Sequence, residues 1–170
     1  MVAQTNPDIS LKRKTRLIAH RGLISGPDKS LENKVKTIDK AITLGYDVEL
    51  DVWFKDQSFF LGHDRPLDKI PDSFLINRRQ NLWIHAKNPE ALQALVELSI
   101  DYPDINFFWH ENDQYTLTSL GVPWIYPSIK IIRSGIVVMP ETFMDLRDIK
   151  NFKYSGICSD YIHQLRKIIE

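Results

Sequence analysis

The chain carries 22 basic and 22 acidic side chains among 170 residues, a formal charge of zero that excludes the broad basic field of a nucleic-acid binder. A composition of 43% hydrophobic and 26% charged residues is that of one globular domain with a real core, and the single cysteine excludes an internal disulfide framework. The first ten residues are polar and no apolar run approaches the roughly 20 residues of a membrane span, so a cytoplasmic protein without a secretory signal is expected.

Residues 1–15 read as a polar tail, with Lys12-Arg13-Lys14 as a solvated charge run, and residues 16–170 as a single domain. Residues 16–20 predict a first strand that delivers His20-Arg21-Gly22. Ser30 is an expected N-cap for a helix with Leu31, Val35, Ile38 and Ile42 on one face, stopped by Gly45. Residues 46–54 predict the second strand, and Lys55-Asp56-Gln57-Ser58 a hairpin turn into 59–61, which delivers His63-Asp64. A strand over 82–87 precedes a helix that Pro89 opens, with Ala91, Leu92, Leu95, Val96 and Leu98 on its apolar side. Residues 105–110, 124–127, 135–141 and 155–160 predict further strands, and 161–169 a closing helix. Strands alternating with helices signal a parallel sheet. A full (β/α)₈ barrel takes about 250 residues, so the expected fold is α/β, a trimmed TIM-type barrel with reduced outer helices.

The strand period of two places Glu49 and Asp51 on one face, with Val48, Leu50 and Val52 on the other. An E-x-D pair on a half-exposed strand can be a solvated face. On a buried strand, two close carboxylates require a cation or strong donors, and oxygen ligands favour Mg²⁺ or Ca²⁺. His20 and His63 each follow an apolar strand and have charged neighbours. Each is a core or loop histidine taken alone, and together they can supply a base and an acid. Trp83, His85 and Lys87 share a face, as do Asn106, Phe108 and His110. Lys87 either neutralises phosphate or extends from a strand end to solvent. His110, Glu111, Glu141 and Asp160 are candidate rim contacts. Cys158 reads as a small core residue, and Trp109, Tyr115, Trp124 and Tyr126 as core or rim filler.

His20-Arg21-Gly22, Glu32-Asn33, Glu49-Leu50-Asp51 and His63-Asp64, in that order, resemble the glycerophosphodiester phosphodiesterase family of the phosphatidylinositol-specific phospholipase C-like superfamily. The first 64 residues carry most of the likeness. Residues 82–89 and Gly156-Ile157-Cys158-Ser159-Asp160 are similar more loosely. The resemblance implies a TIM-type barrel that hydrolyses a small, glycerophosphodiester-like substrate. It implies His20 and His63 as the acid/base pair, Glu49 and Asp51 as ligands of Mg²⁺ or Ca²⁺, and Arg21 and Lys87 as phosphate contacts. Where the family's third strand reads Glu-x-Lys, this chain has His85-Ala86-Lys87. A ligand His85 suits Mn²⁺ or Zn²⁺ better, and Glu141 is an alternative acid to complete the shell. The alternatives are a lyase forming a cyclic phosphate and a non-catalytic module binding phosphate or a polyol phosphate. An exposed strand edge in so short a chain also points to a homodimer.

Overall fold

The computed structural model describes residues 15–126 and 130–170. Apart from Thr15, the predicted tail lies outside the described residues, as does Pro127 at the end of a predicted strand. Among the described residues, ten strands form one mixed, mostly parallel sheet: β1 (Arg16–Ala19), β2 (Asp47–Lys55), β3 (Ser58–Leu61), β4 (Asp68–Ile70), β5 (Leu82–Ala86), β6 (Phe107–Phe108), β7 (Tyr115–Leu117), β8 (Pro123–Ile125), β9 (Ile136–Val138) and β10 (Gly156–Ser159). The α-helices of the described residues are α1 (Val35–Thr43), α2 (Asp72–Arg78), α3 (Pro89–Asp101) and α4 (Ile162–Ile169). β1, β2, β5, β6, β8, β9 and β10 run parallel, while β3, β4 and β7 are antiparallel additions.

The alternation in β2 works as its spacing predicts. Val48, Leu50 and Val52 are fully buried and join Ile38 and Ala41 of α1, Leu95 of α3 and Leu165 of α4 in the larger core. A second, smaller core lies on the other face. It brings together Ile18 of β1, Trp83 of β5, Phe108 of β6, Trp124 of β8, Ile136 and Val138 of β9, and Cys158 of β10. Strands remote in pairing order can meet on one face only if the sheet curls. The curl does not close, because β6, paired to β5, and β8, paired to β7 and β9, do not pair with each other. The gap is nevertheless narrow: the Phe108 and Trp124 rings lie 4.6 Å apart, and Ser119 N–H donates to the Phe107 carbonyl at 2.7 Å. At the base, Trp83 Nε1 and Arg16 Nη1 both donate to Asp47 Oδ2, at 3.2 and 3.1 Å.

The first helix starts later than Ser30 suggests. Asn33 has φ +55°, a left-handed conformation that a helix cannot contain, and the Ser30 hydroxyl bonds Asp28, so α1 begins at Val35. The third helix follows its signals: Asn88 caps it by accepting from Ala91 N–H, and Pro89 occupies its first turn. Three short elements have no periodic signature, namely β4, α2 and β7. β4 and β7 are edge strands of three residues each, a length that limits edge-to-edge pairing. No helix among the described residues is long and apolar enough to cross a membrane.

Candidate active site

Past β1 the chain makes a 3₁₀ turn, His20–Gly22, in which Arg21 (φ +50°) and Gly22 (φ +79°) are left-handed. A Cβ on Gly22 would stand 3.2 Å from the Ile38 nitrogen, so glycine lets the turn seat against α1. The turn aims His20 inward. Its Nδ1 meets Asp160 Oδ1 at 2.7 Å, and its Nε2 lies 3.8 Å from Glu49 Oε2. Parallel pairing of β1 with β10, Ala19 opposite Ser159, is what joins residues 20 and 160. A carboxylate only accepts, so Nδ1 carries the proton and Nε2 is the ring's working nitrogen. Burial disfavours the imidazolium, but the Asp160 bond and Glu49 outweigh it, and the His20 pKa is raised.

Glu49 and Asp51 are 3% and 1% exposed, so their charges must be answered locally. Glu49 Oε2 accepts the Arg21 backbone N–H at 3.0 Å. Asp51 is gripped by Asn33, whose Nδ2 donates to Oδ2 at 2.9 Å and whose Oδ1 accepts Asp51 N–H at 2.9 Å. Burial and the Asp51 charge raise the Glu49 pKa. Asp51 moves the other way: burial is outweighed by His85, Arg21 and Lys87, and its carboxyl stays well below the usual range. The register of β2 against β5 sets Asp51 beside His85, with Nδ1 to Asp51 Oδ1 at 3.1 Å and to Glu49 Oε1 at 3.9 Å. Asp51 Oδ1 is buried yet accepts no aligned hydrogen bond. Ligand atoms of Glu49, Asp51 and His85 all fall within 4.8 Å of one another, a fit for a metal ion.

Asn33 itself was not predicted as a site residue. Asn33→Ala should cost about 2–4 kcal/mol, because it strands buried groups of Asp51 and places a Cβ-bearing residue without a side-chain partner at positive φ. Chemical denaturation with an unchanged slope will read that loss.

His63 arrives by a different route. β2 overruns the parallel sheet as far as Lys55, and Asp56 and Gln57, both at positive φ, turn the chain into antiparallel β3. The return strand brings Gly62 N–H to the Asp51 carbonyl at 3.2 Å, while Trp53 Nε1 holds the Gly62 carbonyl at 2.7 Å. His63 follows, its Nδ1 on Asp64 Oδ1 at 2.7 Å, which leaves Nε2 as its free nitrogen.

His20, Arg21, Glu49, Asp51, His63, His85 and Lys87 line one cavity of about 430 Å³ together with the aromatic rings of Phe108, Trp109, Trp124 and Tyr126. Arg21 and Lys87 both line the cavity and both stand against carboxylates. Arg21 Nη1 donates to Glu32 Oε2 at 3.0 Å, its Nε lies 3.1 Å from Asp51 Oδ2, and Lys87 Nζ is 3.6 Å from Asp51 Oδ1. Of the rim candidates, His110 and Glu111 line the cavity. His110 Nε2 bonds the Tyr126 carbonyl at 2.9 Å, and burial lowers its pKa. Asp160 and Glu141 stand behind the wall. Asp160 orients His20, while Glu141 accepts from Ser159 Oγ at 2.9 Å and Asp160 N–H at 3.2 Å, its pKa raised by burial. Glu141 is therefore a brace for β10 and, contrary to the expectation that it completes a metal shell, is not among the clustered ligand atoms, which are those of Glu49, Asp51 and His85. Cys158 is buried in the inner core with its pKa raised by burial, which suits packing and not attack.

No protein-family model, curated protein or solved structure matches this chain.

Proposed function

We propose that the chain is a metal-dependent phosphodiesterase acting on a small, glycerophosphodiester-like substrate. The observation that carries this reading is convergence. Two imidazoles, each anchored through Nδ1 by an aspartate, share one cavity with the Glu49–Asp51–His85 cluster and Lys87. A trimmed TIM-type barrel is the matching fold reading. The curl of seven parallel strands supports it, as does the placement of His20, Lys87, His110 and Asp160 just past strand carboxyl ends, where such folds carry their chemistry.

In this reading the substrate phosphate sits between the two histidines and beside Lys87. One imidazole Nε2 takes the proton of the attacking hydroxyl as the new O–P bond forms. The other gives a proton to the departing alkoxide as the old P–O bond breaks. A divalent ion held by Glu49, Asp51 and His85 would supply Lewis-acid stabilisation of the phosphoryl oxygens. Water as attacking group yields a phosphomonoester and an alcohol, and a neighbouring substrate hydroxyl yields a cyclic phosphate, so product analysis separates hydrolase from lyase.

The test is turnover of glycerophosphodiesters and a chromogenic phosphodiester with Mg²⁺, Ca²⁺, Mn²⁺ or Zn²⁺ present. Product formation is expected. Binding of glycerol phosphate without turnover of any diester would identify a binding module instead. In parallel, Glu49→Gln should weaken divalent-ion binding at least ~10-fold by calorimetry. Unchanged affinity would remove Glu49 from the ligand set.

A further inference from the structure

We propose that the cation site is built for a transition-metal ion of the Zn²⁺ or Mn²⁺ kind, bound through His85 Nδ1 whose lone pair is fixed by the main chain of His110. The inference rests on the cation-site part of the function proposed above and is read by metal binding, not by turnover.

The argument is one of donors and acceptors. His85 Nε2 lies 2.9 Å from the His110 carbonyl, which can only accept, so Nε2 carries a proton. In the neutral ring Nδ1 is then a bare lone pair, directed toward two acceptors, Asp51 Oδ1 at 3.1 Å and Glu49 Oε1 at 3.9 Å. Lys87 Nζ stands 3.6 Å from Asp51 Oδ1, beyond hydrogen-bond distance, so these three electron-rich atoms still call for a cation among them. A proton on Nδ1 answers this poorly, because Asp51 Oδ1 accepts no aligned hydrogen bond although it is buried.

The partners of the remaining polar atoms sharpen the point. Glu49 Oε2 is taken by Arg21 N–H, Asp51 Oδ2 by Asn33, and His85 Nε2 by His110. Each residue keeps one atom for the centre. The His85 ring is held in this pose by stacking on Phe108, with centroids 5.0 Å apart and planes within 10°. The His110 segment is tied in turn through its own Nε2 to the Tyr126 carbonyl. A ligating imidazole whose other nitrogen donates to a carbonyl is the usual outer-shell arrangement of metal sites. One nitrogen and two carboxylate oxygens suit borderline ions, whereas Mg²⁺ and Ca²⁺ prefer oxygen alone. Three protein ligands leave positions open for water or a phosphate oxygen.

Because Zn²⁺ outcompetes Mg²⁺ at most mixed sites, the affinity ratio alone decides nothing; its dependence on position 85 does. The experiment uses the full chain, stripped by chelator and labelled with ¹⁵N-histidine, above the pH at which imidazole titrates. Long-range ¹H–¹⁵N spectra should show His85 as the Nε2–H tautomer, with Zn²⁺ moving its Nδ1 resonance at one equivalent. His85→Glu should lower the Zn²⁺/Mg²⁺ affinity ratio about tenfold or more, because a hard carboxylate replaces the nitrogen donor. His85→Gln can still donate to the His110 carbonyl; it should lose about tenfold in Zn²⁺ affinity with an unchanged melting temperature, which separates ligand loss from misfolding. The proposal is overturned if Zn²⁺ binds without moving Nδ1, if the Zn²⁺/Mg²⁺ ratio is the same in His85→Glu, or if the native chain binds neither ion. A metal-loaded chain that turns over no phosphodiester would remove the enzymatic reading and leave this one intact.

Discussion

His20→Ala will reduce phosphodiester turnover by roughly 10²–10⁴-fold, the range that a positioned acid or base contributes. It will also destabilise the fold by about 1–3 kcal/mol, because His20 is buried and its loss strips Asp160 of its hydrogen-bond partner. His63→Ala should match the kinetic loss without the structural one. Its side chain is a third exposed and its Asp64 partner lies in solvent, so stability should stay within about 0.5 kcal/mol. Paired denaturation and steady-state measurements on the two variants distinguish chemistry from scaffolding. Full activity in either variant removes that histidine from the mechanism.

Gly62→Ala will be among the most damaging single-methyl additions in the chain. Gly62 has φ +147°, and a Cβ there would lie 2.2 Å from the Arg65 carbonyl oxygen, a main-chain atom that cannot swing away. The loop must shift, at about 2–4 kcal/mol for the strain and the displaced contacts. Gly62 is also held on both sides, its N–H on the Asp51 carbonyl and its own carbonyl on the Trp53 indole. The shift should therefore carry His63 off the cavity. A lower melting temperature together with turnover no better than His63→Ala is the expected pair of results. Native stability and native turnover in Gly62→Ala would show that the loop does not position His63.

Much of this site is legible in the sequence, for reasons that are local. The two-residue strand period alone puts Glu49 and Asp51 on one face and buries Val48, Leu50 and Val52 on the other. The same period, with the β2–β5 register, sets His85 beside Asp51. Non-local bonds are what the linear pattern conceals. Asp160 reads as a rim residue until β1 pairs with β10 and places it on His20, 140 positions earlier in the chain. Asn33 looks like part of a helix start; its two bonds, one donated to Asp51 Oδ2 and one accepted from Asp51 N–H, reach 18 positions along the chain and leave no local signature. A mere strand-end position does not predict that His63 comes from an antiparallel return, since that depends on how far β2 overruns the sheet. The unclosed gap between β6 and β8 is likewise invisible in periodicity, because two- and three-residue strands are too short to show one.

The most direct trial is a crystal structure of the full chain with Mn²⁺ or Zn²⁺ and a non-hydrolysable phosphodiester, the ion located by its anomalous signal. A single peak bounded by Glu49, Asp51 and His85, with the phosphorus flanked by the Nε2 atoms of His20 and His63, is the predicted result. An ion bound elsewhere, or a ligand phosphate that touches neither imidazole, would contradict it.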